Sequence, residues 1–110
     1  MDGEHFKIAR QDQQLKNVAV GQTVEQSDPI YFAKAAGGSV IALAGEPMTN
    51  LTWWGSHNGV DYVGIVDSGT AFSTPISVPS GQAIPDICFA YPWLKITVDV
   101  AGHLQVCLKG

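Results

Sequence analysis

Residues 94–109, LKITVDVAGHLQVCLK, alternate apolar and polar side chains almost without interruption. Because successive side chains of a strand point to opposite faces, this alternation predicts two strands that share one buried face. The residues expected on that face are Leu94, Ile96, Val98, Val100, Leu104, Val106 and Leu108. We expect a hairpin with a three-residue loop or a glycine bulge at Gly102, since a two-residue loop would mix the faces.

A second hairpin is predicted in residues 51–66, LTWWGSHNGVDYVGIV. Asn58-Gly59 suits a type I′ turn because both central positions need positive φ. A two-residue loop there would pair Gly55 with Tyr62 and Trp53 with Gly64. The faces would be Leu51, Trp53, Val60, Tyr62 and Val66 on one side, and Thr52, Trp54, Ser56, Asp61, Val63 and Ile65 on the other.

From residue 17 onward, the rest of the chain also has a composition typical of β-strands and turns. Of the chain's 12 glycines and 6 prolines, all but Gly3 lie in this part, and they separate short runs rich in Val, Ile and Thr. Further strands are predicted at residues 18–20, 29–33, 39–44 and 71–78, and a short helical turn at 84–90. The sequence therefore predicts an all-β protein, a β-sandwich or jelly-roll-like domain of about eight short strands over residues 17–110.

Residues 1–16 are polar and predict an extended N-terminal arm whose large apolar side chains after Met1 are Phe6, Ile8 and Leu15. Phe6 and Ile8 alternate in strand fashion around Lys7, and a short helix over residues 9–15 is the competing prediction. The arm is expected either to become ordered on a partner or a sheet edge, or to be a solvated tail.

Composition narrows the class of protein. The 110 residues are 45% hydrophobic and 15% charged with a net charge of −4, which argues against disorder and against nucleic-acid binding. No apolar run approaches a membrane span, and the first residues show no secretory signal. The histidines lie far apart and neither cysteine has a close partner, so we expect no metal and no cofactor.

The two cysteines, Cys88 and Cys107, are expected to be thiols. The predicted hairpin places Cys107 on the polar face beside Thr97, which weakens the case for a bridge to Cys88. Sequence alone leaves that bridge open.

Asp67 lies in the stretch GIVDSGTA, residues 64–71, which resembles the catalytic signature of aspartic proteases. A chain with one such motif would have to dimerise to bring two carboxylates together. Asp-Ser-Gly between two β-rich runs is also ordinary turn chemistry, and the downstream sequence lacks a Gly-rich flap. We therefore favour a turn and assign no catalytic residue, so the protein is expected not to be an enzyme.

Aromatic side chains offer a further possibility, a carbohydrate-binding β-sandwich, because flat rings can stack against sugars. Trp53 and Tyr62 are expected in the core. Trp54 shares a face with polar residues and is the better surface candidate, for a sugar or for a protein partner.

From Gly37 onward, the order of features resembles small β-sandwich structural proteins of tailed bacteriophages, such as head decoration and tail-associated subunits. These features are the glycine-rich strand entry at 37–40, the Trp-x-x-S-x-x-G run from Trp53 to Gly59, the turn at 67–70 and the terminal apolar segment. The resemblance implies a non-enzymatic virion subunit that assembles in the host cytoplasm. It would bind other virion proteins and copies of itself. Its contacts would be made through Phe6, Ile8, Leu15 and Trp54.

Overall fold

A computed structural model describes residues 14–67 and 69–109, which form eleven strands and two short 3₁₀ turns. The strands are β1 (Gln14–Val20), β2 (Ile30–Tyr31), β3 (Gly37–Ala42), β4 (Asn50–Ser56), β5 (Val63–Gly64), β6 (Val66–Asp67), β7 (Thr70–Ala71), β8 (Ser73–Pro75), β9 (Ser80–Ala83), β10 (Trp93–Val98) and β11 (Gly102–Lys109). The 3₁₀ turns are Val24–Gln26 and Asp86–Ala90, the second at the position predicted for a helical turn. The predicted all-β, sandwich-like fold is confirmed.

Two antiparallel sheets and a short ribbon account for these strands. The first sheet has four strands in the order β1-β11-β3-β9. The second has five strands in the order β2-β10-β4-β5, with β8 pairing along the same β4. The ribbon is β6 with β7. The second strand predicted in residues 51–66 is divided into β5 and β6, and the strand predicted at residues 71–78 is divided into β7 and β8. β9, Ser80–Ala83, is a strand that was not predicted.

The core is formed by the inward rows of the two sheets. Val18, Val40, Leu104 and Val106 come from the four-stranded sheet, and all are almost wholly buried. The five-stranded sheet contributes Leu51, Trp53, Leu94, Ile96 and Val98. The alternation in residues 94–109 therefore identified the buried apolar side chains correctly, except Val100, which is exposed.

The hairpin predicted for residues 94–109 is wrong. β10 pairs with β2 and β4, whereas β11 pairs with β1 and β3, so the two strands lie in different sheets. The chain crosses between the sheets at residues 99–101, and the two apolar rows join one core. The same crossing removes Cys107 from the predicted place beside Thr97, and its strand neighbours are Leu15 and Ser39.

The two-residue turn at Asn58-Gly59 is also wrong. β4 and β5 pair as Trp54 with Gly64 and Gly55 with Val63, one residue out of the predicted register. Six residues, 57–62, form the connection. A one-residue slip exchanges the faces, and Ile65 accordingly lies in the core while Val60 and Val66 are exposed.

One edge of β10 is completed by a segment that is not a strand. β2 pairs only with the beginning of β10, at Trp93 and Leu94. Farther along, the backbone N–H of Ile96 donates to Oγ of Ser27 at 3.0 Å, and Val98 N–H donates to the carbonyl of Gly21 at 2.9 Å. Residues 21–27 thus satisfy the backbone of a buried strand where β2 has ended.

The predicted turn at Asp67 is confirmed. Val66 pairs with Ala71 and Asp67 with Thr70, while Gly69 has a φ of +83°. Positive φ is the region that favours glycine. Earlier in the chain, β1 begins at Gln14, so the sheet includes the last three residues of the predicted arm. The helix considered for residues 9–15 is therefore wrong at Gln14 and Leu15, and its earlier residues lie outside the described part of the chain.

Candidate functional site

The outward surface of the four-stranded sheet is a broad and nearly uncharged face, which we call the outer face. Its residues are Leu15, Asn17, Ala19, Gly37, Ser39, Ile41, Gly81, Ala83, His103, Gln105, Cys107 and Lys109. Among these, only Lys109, at the end of β11, belongs to the Lys, Arg, Asp and Glu group. Charge depletion is typical of the centre of protein–protein interfaces.

Large and small side chains are separated across the outer face. One row runs from Leu15 through Cys107 and Ser39 to Ala83. Leu15, on the edge strand β1, is 71% exposed. At the other edge, β9 presents only the small Gly81 and Ala83. A side chain at Gly81 would crowd Ile41, whose Cγ1 lies 3.0 Å from the position of a Cβ there, so Ile41 lies across this glycine.

The structure does not bring the predicted partner-binding residues together. Leu15 lies on the outer face, whereas Trp54 lies on the opposite side of the molecule, on the outward surface of β4. Trp54 is half-buried over Gly64, and its indole N–H donates to Oγ1 of Thr97 at 2.9 Å. Phe6 and Ile8 lie outside the described residues.

A second feature is a cleft of about 270 Å³ at one end of the five-stranded sheet. Its residues are Gly55, Ser56, His57, Asn58, Asp61, Val63 and Tyr91, and we call this set the cleft. Gly55 makes room for the ring of Tyr91, because a Cβ there would lie 2.6 Å from Cγ of Tyr91. The rings of His57 and Tyr91 lie nearly parallel with their centroids 6.0 Å apart.

Hydrogen bonds fix the polar rim of the cleft. Oγ of Ser56 accepts from the backbone N–H groups of Asn58 and Gly59 at 3.2 and 2.9 Å. Oδ1 of Asn58 accepts from the N–H groups of Val60 and Asp61 at 2.8 and 2.9 Å. Nδ2 of Asn58 then donates to Oδ2 of Asp61 at 3.0 Å. These bonds replace the predicted two-residue turn, and they use Ser56 as a structural group.

Sequence reasoning missed the cleft because its parts come from separate segments. Tyr91 follows the second 3₁₀ turn and reaches Gly55 only through the pairing of β10 with β4. The sequence does contain one signal: Gly55 has no side chain, and a glycine inside a strand often marks a close approach. The predicted register instead pairs Gly55 with Tyr62, whose ring lies under the Nζ of Lys95 at 4.7 Å.

Asp67 and Cys88 lie apart from both features, whereas Cys107 belongs to the outer face. Asp67 is exposed on the β6–β7 ribbon. Cys88 is buried, Cys107 is half-buried, and both are thiols rather than halves of a disulfide. Burial raises the pKa of the Cys88 thiol to about 12. Within residues 14–67 and 69–109, no three His, Cys, Asp or Glu side chains group as metal ligands.

Searches against known proteins add no relatives. Neither a family model, nor a curated protein, nor a solved structure matches this chain. In the part of the chain that the structure describes, no helix has the length and apolar character needed to cross a membrane.

Proposed function

We propose that this protein is a non-enzymatic structural subunit of a bacteriophage virion that acts through protein–protein contacts. The outer face is the observation that supports this proposal most. The virion setting rests on the resemblance of residues 37–110 to small phage β-sandwich proteins. The partner we assign to the outer face is a second copy of the chain.

Self-complementarity argues for a second copy. A two-fold axis parallel to the strands, between β11 and β3, would place β1 of one copy over β9 of the other. Leu15 would then lie over the small Ala83 of the second copy, and Asn17 over its Gly81. Opposed sheets pack with their strands nearly aligned, as this arrangement requires, and an uncharged face needs no opposite charge.

The area of the outer face determines how strong the contact between two copies is expected to be. Four strands about 4.8 Å apart and about 3.4 Å of rise per residue over six residues give a patch of roughly 400 Å². A standard stable interface buries about 800 Å² on each partner. A single contact of this kind is therefore weak in dilute solution. It becomes effective where many copies are held together on a particle, because the local concentration is high.

Sedimentation over a wide concentration range tests the contact. We expect a monomer at micromolar concentration and reversible association toward a dimer near millimolar concentration. Ile41→Asp should abolish the association because it places a charge in the centre of the face. Val60→Asp is the matched control, since Val60 is 78% exposed on the loop at residues 57–62. A strict monomer at every concentration, or equal effects of the two variants, would refute the contact.

Purified particles test the virion setting. The chain should co-purify with phage particles through a density gradient in stoichiometric amounts, as measured by mass spectrometry. Particles grown with the Ile41→Asp chain should contain less of it. Absence of the chain from purified particles would overturn the proposal, whatever its behaviour in solution.

A further inference from the structure

We propose that the cleft binds a single neutral pyranose ring. This inference is independent of the virion setting and of the outer face. It rests on the size of the cleft, on its apolar wall and on the hydrogen-bonding capacity of its rim.

Size limits the ligand. Pockets for drug-sized molecules enclose about 300–1,000 Å³, and the cleft, at about 270 Å³, lies just below that range. One sugar ring is a ligand of the appropriate class. The cleft opens to solvent on the side of the exposed His57 and Asp61, so the ring can be a free sugar or one unit of a longer glycan.

An apolar wall and a polar rim match the two parts of a pyranose. Gly55, Val63 and the half-buried ring of Tyr91 provide the apolar wall, against which the C–H face of a sugar can lie. The rim is formed by His57, Asn58 and Asp61. A sugar presents hydroxyl groups around its edge, in reach of such a rim.

The rim offers both a donor and an acceptor. Asp61 receives the Asn58 bond on one carboxylate oxygen, and its other oxygen can accept from a hydroxyl. The second N–H of the Asn58 amide can donate to a hydroxyl. Since a hydroxyl group both donates and accepts, it fits this pair better than an ammonium group, which only donates. The Asp61 carboxylate disfavours an anion.

The rim is also held in place before a ligand binds. Four backbone N–H groups of the loop, those of Asn58, Gly59, Val60 and Asp61, donate to Ser56 or Asn58 side chains. Rigid polar groups lose little conformational entropy on binding, which favours affinity. Even so, so few contacts give a dissociation constant of about millimolar order.

Titration of the ¹⁵N-labelled chain with methyl pyranosides tests the proposal. The probes are the methyl glycosides of glucose, galactose, mannose and N-acetylglucosamine, together with an oligosaccharide of each sugar. We expect saturable shifts of the backbone amides of Gly55, Asn58 and Asp61. Shifts from the monosaccharides identify a free or terminal sugar, and shifts from oligosaccharides alone identify an internal unit of a glycan.

Variants assign the binding to named groups. Asp61→Asn keeps an oxygen for the Asn58 bond and should weaken binding about tenfold, because the charged acceptor is lost. Glu25→Gln, at an exposed carboxylate of the first 3₁₀ turn, is the control and should bind normally. Tyr91→Phe should retain binding and Tyr91→Ala should lose it, with Tyr31→Ala as the control for loss of an exposed ring.

Three results would overturn the proposal. The first is the absence of saturable shifts at the cleft with every sugar into the high millimolar range. The second is unchanged affinity in Asp61→Asn, whose native amide spectrum shows that it is folded. The third is stronger binding of tetramethylammonium than of any sugar, which would make the cleft a cation site.

Discussion

Replacing Ser27 with alanine removes a hydrogen bond on which the centre of β10 depends. Oγ of Ser27 accepts from the N–H of Ile96 at 3.0 Å, and both residues are buried. Alanine fits the same space, so packing changes little and the N–H of Ile96 loses its partner. A buried donor left unsatisfied costs about 1–3 kcal/mol of the free energy of unfolding. For a domain of this size, that lowers the melting temperature by roughly 4–13 °C.

Urea unfolding followed by tryptophan fluorescence measures this loss, with Ser73→Ala as the control. Ser73 is exposed in β8, so its replacement should change stability by less than about 0.5 kcal/mol. Hydrogen exchange provides a second readout, because the amide of Ile96 should exchange faster in Ser27→Ala than in the parent protein. Equal stability of the two variants together with unchanged exchange at Ile96 would refute the reasoning.

Three further predictions follow from single contacts. Gly59→Ala places a Cβ 3.0 Å from the indole ring of Trp93, in β10, at a backbone φ of +79°. Thermal unfolding should show that the free energy of unfolding falls by about 1–3 kcal/mol. Gly45→Ala, at a φ of +95° with open space around it, should lose less stability. The difference in stability loss between the two variants measures the cost of the contact with the indole. Hydrogen bonds donated by the hydroxyl and backbone N–H of Thr49 lower the pKa of Asp99 to about 2. Because the pKa of Asp99 in the unfolded chain is near 4, these hydrogen bonds stabilise the folded protein fully above about pH 4. Their stabilisation is lost as the pH falls through 2. Acid unfolding of Asp99→Asn should therefore lack that part of the pH dependence. Cys88, whose pKa burial raises to about 12, should resist iodoacetamide at pH 8 and react once urea unfolds the chain, as read by mass spectrometry.

The fold class could be predicted from the sequence because alternation reports which side chains are buried. Leu94, Ile96, Leu104 and Val106 were assigned to the core correctly. Alternation does not report which sheet a strand joins. A hairpin and a crossing between sheets both turn the apolar side chains of β10 and β11 inward. Residues 99–101 are therefore compatible with either connection, and the predicted hairpin is wrong.

The cleft could not be predicted because side chains override the turn preference of Asn58-Gly59. The side chains of Ser56 and Asn58 accept hydrogen bonds from backbone N–H groups. In a two-residue turn, those groups would be available for pairing between the strands. With these hydrogen bonds β5 is shifted by one residue from the predicted register, and Gly55 leaves the space where Tyr91 lies. On the outer face, the sequence identifies Leu15 as an apolar partner-binding residue, whereas it assigns Ile41, two strands away on β3, only to a strand.

The place of β11 in the four-stranded sheet has a consequence for the order of folding. β11 is the last described strand of the chain, yet it lies between β1 and β3 and is the partner that holds both. While a ribosome still encloses β11, β1 has no strand to pair with and β3 has only β9. Pairing over such long stretches of sequence is slow. The nascent chain therefore has to keep the unpaired β1 and the open edge of β3 from aggregating until synthesis delivers the strand that joins them.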